Sequence, residues 1–115
     1  MQKFLVLYKA PAAGLEAWMK VDPEIREAEE KKMMAEWDAW MATNHSHFVS
    51  TAGAGKTKLV TKGSVVDSKN DVMLFSIVEA ESHEAAADLF KDHPHFGIPD
   101  GTIEVMPMSS IPDAN

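Results

Sequence analysis

SHEAAADLFKDHPHF (residues 82–96) and GTIEVMP (residues 101–107) are the two segments from which the architecture of this chain is best inferred. Ser82 is a preferred N-cap residue and predicts the start of a helix whose inner face is apolar. Pro94 predicts the end of that helix, because proline cannot continue it. Thr102–Met106 alternates between apolar and polar residues, which predicts a strand at the edge of a sheet. A helix therefore leads through a polar His-Pro-His corner into a final strand.

The rest of the chain supplies further strands and one long helix. Phe4–Tyr8 and Val72–Val78 are almost continuously apolar, which is typical of strands covered on both faces. Asp22-Pro23 predicts the start of a helix that ends near Thr43, since Asp is a preferred N-cap and Pro fits the first turn. The remaining segments are predicted as a loop at 10–22, a short strand at 48–51 and a turn-rich segment with a hairpin at 52–68.

These elements follow one another in the order β-α-β-β-α-β, which is typical of the ferredoxin-like α+β fold, an antiparallel sheet with two helices on one face. Right-handed connections place Phe4–Tyr8 and Val72–Val78 in the centre of this sheet and Thr102–Met106 at an edge. The chain of 115 residues is expected to form one domain, residues 1–115, with a frayed polar tail at 109–115.

Two helices can cover only one face of a four-stranded sheet, so the apolar strands predict a second, open face. Leu5, Leu7 and Leu74 are the expected members of this open face. A second copy of the sheet would shield them by burying at least ~1,200 Å² in total, as specific interfaces do. We therefore expect a homodimer that packs through its sheet faces. The alternative is a monomer in which residues 52–68 fold over the open face.

Composition limits the classes of partner and the cellular location. The net charge of −7 argues against nucleic acid and against an anionic membrane surface, since both require cations on the protein. No segment approaches the ~20 apolar residues of a membrane span, and the apolar run at the N-terminus ends at Tyr8, too early for a signal peptide. The absence of cysteine excludes disulfides and thiolate metal ligands. We expect a cytoplasmic protein.

His93 is the principal candidate for catalysis. It lies at the predicted C-terminal end of the second helix, where the helix dipole raises the pKa of a histidine and favours its cation. Such a group binds anions or donates a proton. Asp92 or Asp22 is the candidate carboxylate partner of His93, and Tyr8 is a supporting proton donor. The alternative is structural: His93 caps the helix by hydrogen bonding to its last free carbonyl groups.

The predicted topology gathers further side chains at the same edge of the sheet, because the second helix ends where the first strand ends. His95, Lys9, Trp18 and Asp22 are the candidate ligand-binding residues at this edge. An apolar wall with a few convergent polar groups is typical of a small-molecule pocket. Trp18 has the commoner alternative of covering the core, and His95 has the alternative of a structural role.

Metal and cofactor sites are not expected. His45 and His47 form a second His-x-His pair, but the first helix ends at the sheet edge opposite to the second. The length of a strand, ~17 Å, separates the two pairs within one subunit, which is too far for a shared metal ion, so the remaining alternative is a metal ion held across a dimer. Gly53–Thr57 resembles the end of a phosphate-binding P-loop but lacks its first glycine and the following helix. No metal and no cofactor is therefore predicted.

The segments KFLVLYKAP (3–11), MAEWDAWM (34–41) and DHPHFGIPDGTIEVMPM (92–108) resemble the YCII-related, or DGPF-domain, family, and the resemblance covers nearly the whole chain. It implies a dimeric α+β barrel; many members of the family have no assigned reaction. This chain has Lys62-Gly63-Ser64-Val65 where many relatives have Asp-Gly-Pro-Phe. It also has no histidine between residues 10 and 22, where some relatives carry one that is proposed to act with an aspartate. That catalytic proposal does not transfer to this chain.

The function expected from these residues and from the resemblance is the binding of a small organic molecule that is anionic or carbonyl-bearing. Cofactor-free acid–base chemistry, such as isomerisation, lyase action or oxygenation, would follow from the histidine and carboxylate candidates. The alternative is a non-catalytic dimeric binding or regulatory module. A pocket that reaches His93 favours the enzyme, whereas a sealed corner in which His93 caps a helix favours the module.

Overall fold

A four-stranded antiparallel sheet with helices packed on one face forms the body of the protein in the computed structural model, which describes residues 1–109. The strands are β1 (Gln2–Lys9), β2 (Phe48–Gly53), β3 (Thr57–Thr61), β4 (Ser64–Ser68), β5 (Val72–Ala80) and β6 (Thr102–Pro107). The helices are α1 (Ala12–Met19), α2 (Pro23–Asn44) and α3 (His83–Asp88), with 3-10 turns at His45–His47 and Pro94–Gly97. The predicted frayed tail lies outside the described residues from position 110 onward. None of the helices in the described range has the length and apolar character needed to cross a bilayer.

The strands of the main sheet lie in the order β2-β5-β1-β6, and every neighbouring pair is antiparallel. β1 and β5 therefore occupy the centre and β6 an edge, as the sequence predicts. Tyr8 lies opposite Leu74 on β5 and Ile103 on β6, which fixes the side chains that share its face. The α+β ferredoxin-like arrangement is confirmed.

α2 begins at the predicted residue, with the Asp22 carboxylate accepting a hydrogen bond from the backbone N–H of Glu24 at 2.9 Å. The prediction of a loop at 10–22 is wrong, because α1 occupies most of that segment. Pro11 precedes α1, where it breaks no helical hydrogen bond, and the alanines that follow are strong helix formers. Gly14 inside this run is tolerated as an isolated helix residue.

α3 is shorter than predicted and does not reach the His-Pro-His corner. It ends at Asp88, after which the backbone N–H groups of Phe90 and Lys91 each bond to a carbonyl three residues earlier. The N–H of His93 does the same, and this tight geometry carries the chain to Pro94, which starts a 3-10 turn. The prediction that His93 ends a helix is therefore wrong. His93 is instead the N-cap of the 3-10 turn.

The core lies between the sheet and the helices. Phe4, Val6 and Tyr8 alternate along β1 and are fully buried on its inner face. Trp37 and Trp40 of α2 pack against them from above. The other buried members of the core are Val78, Ala80, Ala86 and Phe90. Neither tryptophan is fully buried, and α2 has no buried residue along its 22 residues. α2 is thus a half-exposed cover over the core.

The opposite, open face of the sheet has an apolar centre. Leu5 lies opposite Ile77 and Leu7 opposite Phe75, so these four side chains share the open face. The described chain is 19 Å thick in its smallest dimension, which is enough for one sheet and one layer of helices on one side of it. The prediction that Leu74 belongs to the open face is wrong, because Leu74 is the cross-strand partner of Tyr8 and faces the helices. A difference of one residue along a strand moves a side chain to the other face.

β3 and β4 form a separate two-stranded hairpin, as predicted. Its turn contains Gly63 with a φ of 79°, a left-handed conformation that favours glycine. The exposed apolar side chains of the hairpin are Leu59, Val60, Val65 and Val66. Because these side chains remain exposed, the hairpin does not shield the open face in the way that the monomer alternative requires.

Candidate functional site

His93 and His95 are enclosed by aromatic side chains from β1 and α2, and their exposed fractions are 2% and 1%. The ring of His93 makes T-shaped contacts with Trp37 and Trp40, each with ring centres 4.4 Å apart. Tyr8 adjoins both histidines, with ring centres 5.3 Å from His93 and 5.7 Å from His95. We call these five residues the aromatic corner. Three of the predicted site residues, Tyr8, His93 and His95, are thus brought together.

The side chain of His93 is held as a neutral imidazole. Its Nδ1 accepts a hydrogen bond from the backbone N–H of His95 at 2.9 Å, so the neutral ring carries its proton on Nε2. Burial and the neighbouring His95 lower the pKa of His93 to about 4. The expectation that a helix dipole raises this pKa is wrong, because α3 ends before the corner and desolvation dominates. The structural alternative of a cap that bonds to the last carbonyl groups of the helix is also wrong, because His93 accepts a hydrogen bond at the start of the 3-10 turn.

His95 has the complementary tautomer. Its Nε2–H donates to the carbonyl oxygen of Lys9 at 2.8 Å, which leaves Nδ1 as an acceptor. This hydrogen bond ties the corner to the end of β1. Gly101 leaves the necessary space, because a Cβ at that position would lie 2.9 Å from the carbonyl oxygen of His95.

Two ring nitrogens of the aromatic corner have no hydrogen-bond partner among the described residues, namely Nε2 of His93 and Nδ1 of His95. The tautomers make the first a donor and the second an acceptor. Buried polar groups in proteins are nearly always paired, and an unpaired one costs about 1–3 kcal/mol. The corner therefore contains one free donor and one free acceptor within aromatic walls.

The Tyr8 hydroxyl belongs to a row of side-chain hydroxyl groups. It lies 2.9 Å from Ser76 Oγ, and Ser76 Oγ lies 2.7 Å from Thr51 Oγ1. Burial raises the pKa of Tyr8 to about 12, and the hydrogen bond with Ser76 opposes this rise. At neutral pH the phenol is therefore protonated, so it acts as a hydrogen-bond donor and not as a base.

Lys9 does not join the aromatic corner through its side chain. It follows Tyr8 in β1, so its side chain projects from the opposite face of the sheet. There its Nζ forms an ion pair with Glu104, with nitrogen and oxygen 3.1 Å apart. Only the backbone carbonyl of Lys9 reaches the corner, through His95.

The other predicted site residues also lie apart from the corner. Asp92 is exposed, and no hydrogen bond or ion pair within residues 1–109 joins it to His93. Asp22 is occupied as the N-cap of α2. Trp18 is half-buried on α1. Among residues 1–109 His93 thus has no carboxylate partner, and the catalytic roles of these residues stay predictions.

Sequence reasoning missed the parts that Trp37, Trp40 and Ser76 play at this site. The two tryptophans lie on the long helix predicted from Asp22-Pro23, but nothing in their spacing indicates that they enclose His93. Ser76 carried a usable signal, because it interrupts the apolar run of Val72–Val78 with a hydroxyl group. A polar residue in a strand covered on both faces needs a hydrogen-bond partner.

The second histidine pair makes contacts with the backbone. Nδ1 of His45 lies 3.2 Å from the carbonyl oxygen of Ala42, and Nδ1 of His47 lies 3.1 Å from that of Glu79. Across residues 1–109, no cluster of three or more His, Cys, Asp or Glu side chains is arranged to hold a metal ion. His45 therefore contacts the C-terminal end of α2, and His47 contacts β5 just before β2 begins.

Two shallow grooves flank the aromatic corner. One, of about 240 Å³, is lined by Ala87, Phe90, Lys91, Phe96, Ile103 and Val105. The other, of about 180 Å³, is lined by Glu29, Lys32, Met33, Glu36, Pro94 and Gly97, along the seam between α2 and the 3-10 turn. Neither groove reaches Tyr8 or His93, so the corner is sealed in the single chain.

A solved enzyme structure has the same architecture. It is the 5-chloro-2-hydroxyhydroquinone dehydrochlorinase from Burkholderia phenoliruptrix AC1100, in complex with 2,5-dihydroxybenzoquinone. Its TM-score against this chain is 0.57, over 95% of each chain and at 14% sequence identity. The two proteins share a fold. At this identity the likeness concerns the α+β architecture alone. No protein-family model matches the chain, and no curated protein matches it.

Proposed function

We propose that this chain is a YCII-related, homodimeric cytoplasmic protein that binds a small planar organic molecule with carbonyl or hydroxyl groups and performs cofactor-free acid–base chemistry on it. The aromatic corner is the proposed site. The observation that carries the proposal is the pair of unpartnered ring nitrogens on His93 and His95. A ligand that offers an acceptor to one and a donor to the other removes the penalty of leaving both unpaired.

The walls of the corner suggest the class of ligand. Aromatic side chains pack favourably against flat rings, and Tyr8, Trp37 and Trp40 provide such surfaces. A hydroxylated quinone, a phenol or an enolised ketone has both an acceptor oxygen and a donor hydroxyl. The dehydrochlorinase of similar fold was solved with 2,5-dihydroxybenzoquinone, a molecule of this kind, which supports the proposed class.

The ligand is proposed to enter from the side of α2. Trp37 and Trp40 cover His93 on this side, and no residue of α2 is fully buried. A small outward movement of α2 would expose His93 without breaking the sheet. The groove that contains Met33 and Pro94 follows the same seam and marks the point of entry.

Each ring of the corner has a proposed role. The Nε2–H of His93 donates to a ligand oxygen, since a neutral imidazole can polarise a carbonyl group. The Nδ1 of His95 accepts a proton from the ligand as general base. The protonated Tyr8 hydroxyl supplies a further donor. Asp92 is exposed, and none of these proposed roles uses it.

Thermal unfolding with 2,5-dihydroxybenzoquinone as the probe tests the site. At a hundredfold excess over Kd, the probe is expected to raise the Tm of the wild type by about 5 °C or more. His93→Asn keeps an acceptor for the capping hydrogen bond but removes the Nε2–H, so it should lose most of this shift. His45→Asn changes an exposed histidine and should keep it. Equal shifts in all three proteins would contradict the site, and no shift in the wild type would contradict the ligand class.

The homodimer is proposed from the open face and the hairpin. Leu5, Leu7, Phe75 and Ile77 form an apolar surface that the helices of the same chain do not cover. The hairpin adds exposed apolar side chains nearby in sequence. A second copy packed sheet to sheet would bury the open face and give the dimeric α+β barrel that the YCII-related resemblance implies.

Light scattering tests this assembly. The wild type is expected to have a mass of twice 12.7 kDa at micromolar concentration. Ile77→Lys places a charge in the centre of the open face and should give a folded monomer, because burying an unpaired charge costs far more than the contact contributes. Glu84→Lys introduces the same side chain on α3 and should remain a dimer. A monomeric wild type would contradict the proposal.

A non-catalytic binding or regulatory module is the second candidate. Its supporting observation is that His93 uses Nδ1 to cap the 3-10 turn within a sealed corner. Under this alternative the probe would bind away from His93, and His93→Asn would respond to it like the wild type. The thermal-shift comparison therefore separates the two candidates.

A further inference from the structure

A row of three hydroxyl groups crosses the sheet from the aromatic corner to its edge. The Tyr8 hydroxyl on β1 lies 2.9 Å from Ser76 Oγ on β5, which lies 2.7 Å from Thr51 Oγ1 on β2. Tyr8 and Ser76 are fully buried, whereas Thr51 is exposed and β2 is an edge strand. The row therefore joins a sealed phenol to the protein surface.

Either oxygen of each pair in this row can be the hydrogen-bond donor. A phenol is a much stronger acid than an aliphatic alcohol, which favours donation from Tyr8 to Ser76. In that orientation the one hydroxyl proton of Ser76 can be donated to Thr51. In the reverse orientation Thr51 donates to Ser76 and Ser76 donates to Tyr8, which leaves the Tyr8 proton for a ligand.

Packing alone does not require this row. Ser76 faces the helices between Leu74 and Val78, which are apolar. A buried hydroxyl needs a partner to offset its desolvation, whereas alanine at position 76 with phenylalanine at position 8 would fill nearly the same space without that need. The row is thus a specific polar arrangement in an apolar layer.

We propose that Tyr8, Ser76 and Thr51 form a proton relay through which the sealed phenol exchanges its proton with solvent. In an outward transfer the O–H bond of Tyr8 breaks and a new O–H bond forms on Ser76. The original proton of Ser76 passes to Thr51, and that of Thr51 passes to a water molecule. One proton leaves, the phenolate remains, and the reverse sequence restores the phenol. Ser76 and Thr51 are positioning residues; the use of the relay in chemistry rests on the proposed function.

The exchange rate of the Tyr8 hydroxyl proton tests the relay. The chain contains a single tyrosine, so labelling with ζ-13C tyrosine gives one NMR signal. In mixed H2O and D2O this signal splits when hydroxyl exchange is slow and merges when it is fast. Thr51→Val and Ser76→Ala are expected to slow exchange by roughly tenfold or more, because the proton must then wait for local opening of the structure.

Thr51→Ser keeps the hydroxyl group and is the matched control, expected to exchange at the wild-type rate. If Thr51 had only a structural role, Thr51→Val would loosen the packing around the corner. The Tyr8 hydroxyl proton would then exchange faster, which is the opposite result. Unchanged or faster exchange in Thr51→Val, with a wild-type circular dichroism spectrum, would overturn the relay. The measurement needs no ligand, so its outcome is separate from that of the thermal-shift test.

Discussion

Phe90→Ala is expected to lower the free energy of unfolding by about 3–5 kcal/mol. Phe90 is 2% exposed, and its ring packs against Tyr8, Trp40 and His93. Truncation would leave a cavity where the core meets the aromatic corner. Small domains are stable by only about 5–15 kcal/mol, so the loss is a large fraction of the total. Urea unfolding followed by tryptophan fluorescence measures it.

Phe96→Ala provides the matched control for this substitution. It removes the same atoms six positions along the chain, from a side chain that is 48% exposed. Its effect is expected to stay below about 1 kcal/mol, as is usual for exposed positions. Similar losses of stability in the two variants would contradict the conclusion that Phe90 packs between the core and the aromatic corner.

A second large effect is expected when the pH is lowered from 7 to 4. The pKa of His93 is about 4 in the folded protein, against an ordinary value of 6.5. Between these values the unfolded chain binds more protons than the folded one, so stability is fully present above pH 6.5 and declines towards pH 4. The decline due to His93 is expected to reach about 3 kcal/mol and to level off below pH 4.

Comparison with His93→Asn isolates this effect, because carboxylates also titrate in the acid range. Asparagine is a good N-cap residue and carries no titrating group. The capping hydrogen bond therefore remains, and the contribution of position 93 to the pH dependence of stability disappears. Between pH 7 and pH 4 the variant should lose about 3 kcal/mol less than the wild type. Equal losses in wild type and His93→Asn would mean that His93 is not desolvated as described.

The sheet and the long helix were predictable because local rules determine them. The continuous apolar runs of β1 and β5 indicated central strands, and Asp22 and Ser82 marked two helix starts through their capping side chains. α1 was missed because Pro11 and Gly14 outweighed the alanines around them. The length of α3 was missed because a tight turn after Asp88 leaves little trace in residue type.

The members of the site were more predictable than its chemistry. Topology alone brought Tyr8, His93 and His95 together, as observed. The direction of the His93 pKa shift depends on Trp37 and Trp40, which lie far earlier in the chain and exclude water from the ring. The residues next to His93 in the sequence do not indicate that the two tryptophans enclose it. The helix-dipole argument therefore predicted a raised pKa where the pKa is lowered.

Leu74 shows a different limit, that of strand parity. It was assigned to the open face, although the strand that carries it was identified correctly. Alternation between apolar and polar residues normally shows which face of a strand is buried. A continuous apolar run has no such alternation, so it does not indicate which of its residues face the helices.

The alternation of Leu7 and Tyr8 along β1 has an evolutionary consequence. Even-numbered positions of this strand supply the layer that holds His93 and His95, while odd-numbered positions supply the surface assigned to self-association. Mutations at adjacent positions of β1 therefore affect opposite faces of the sheet. If two copies associate through this surface as proposed, selection can change the strength of that association without altering the proposed site on the other face.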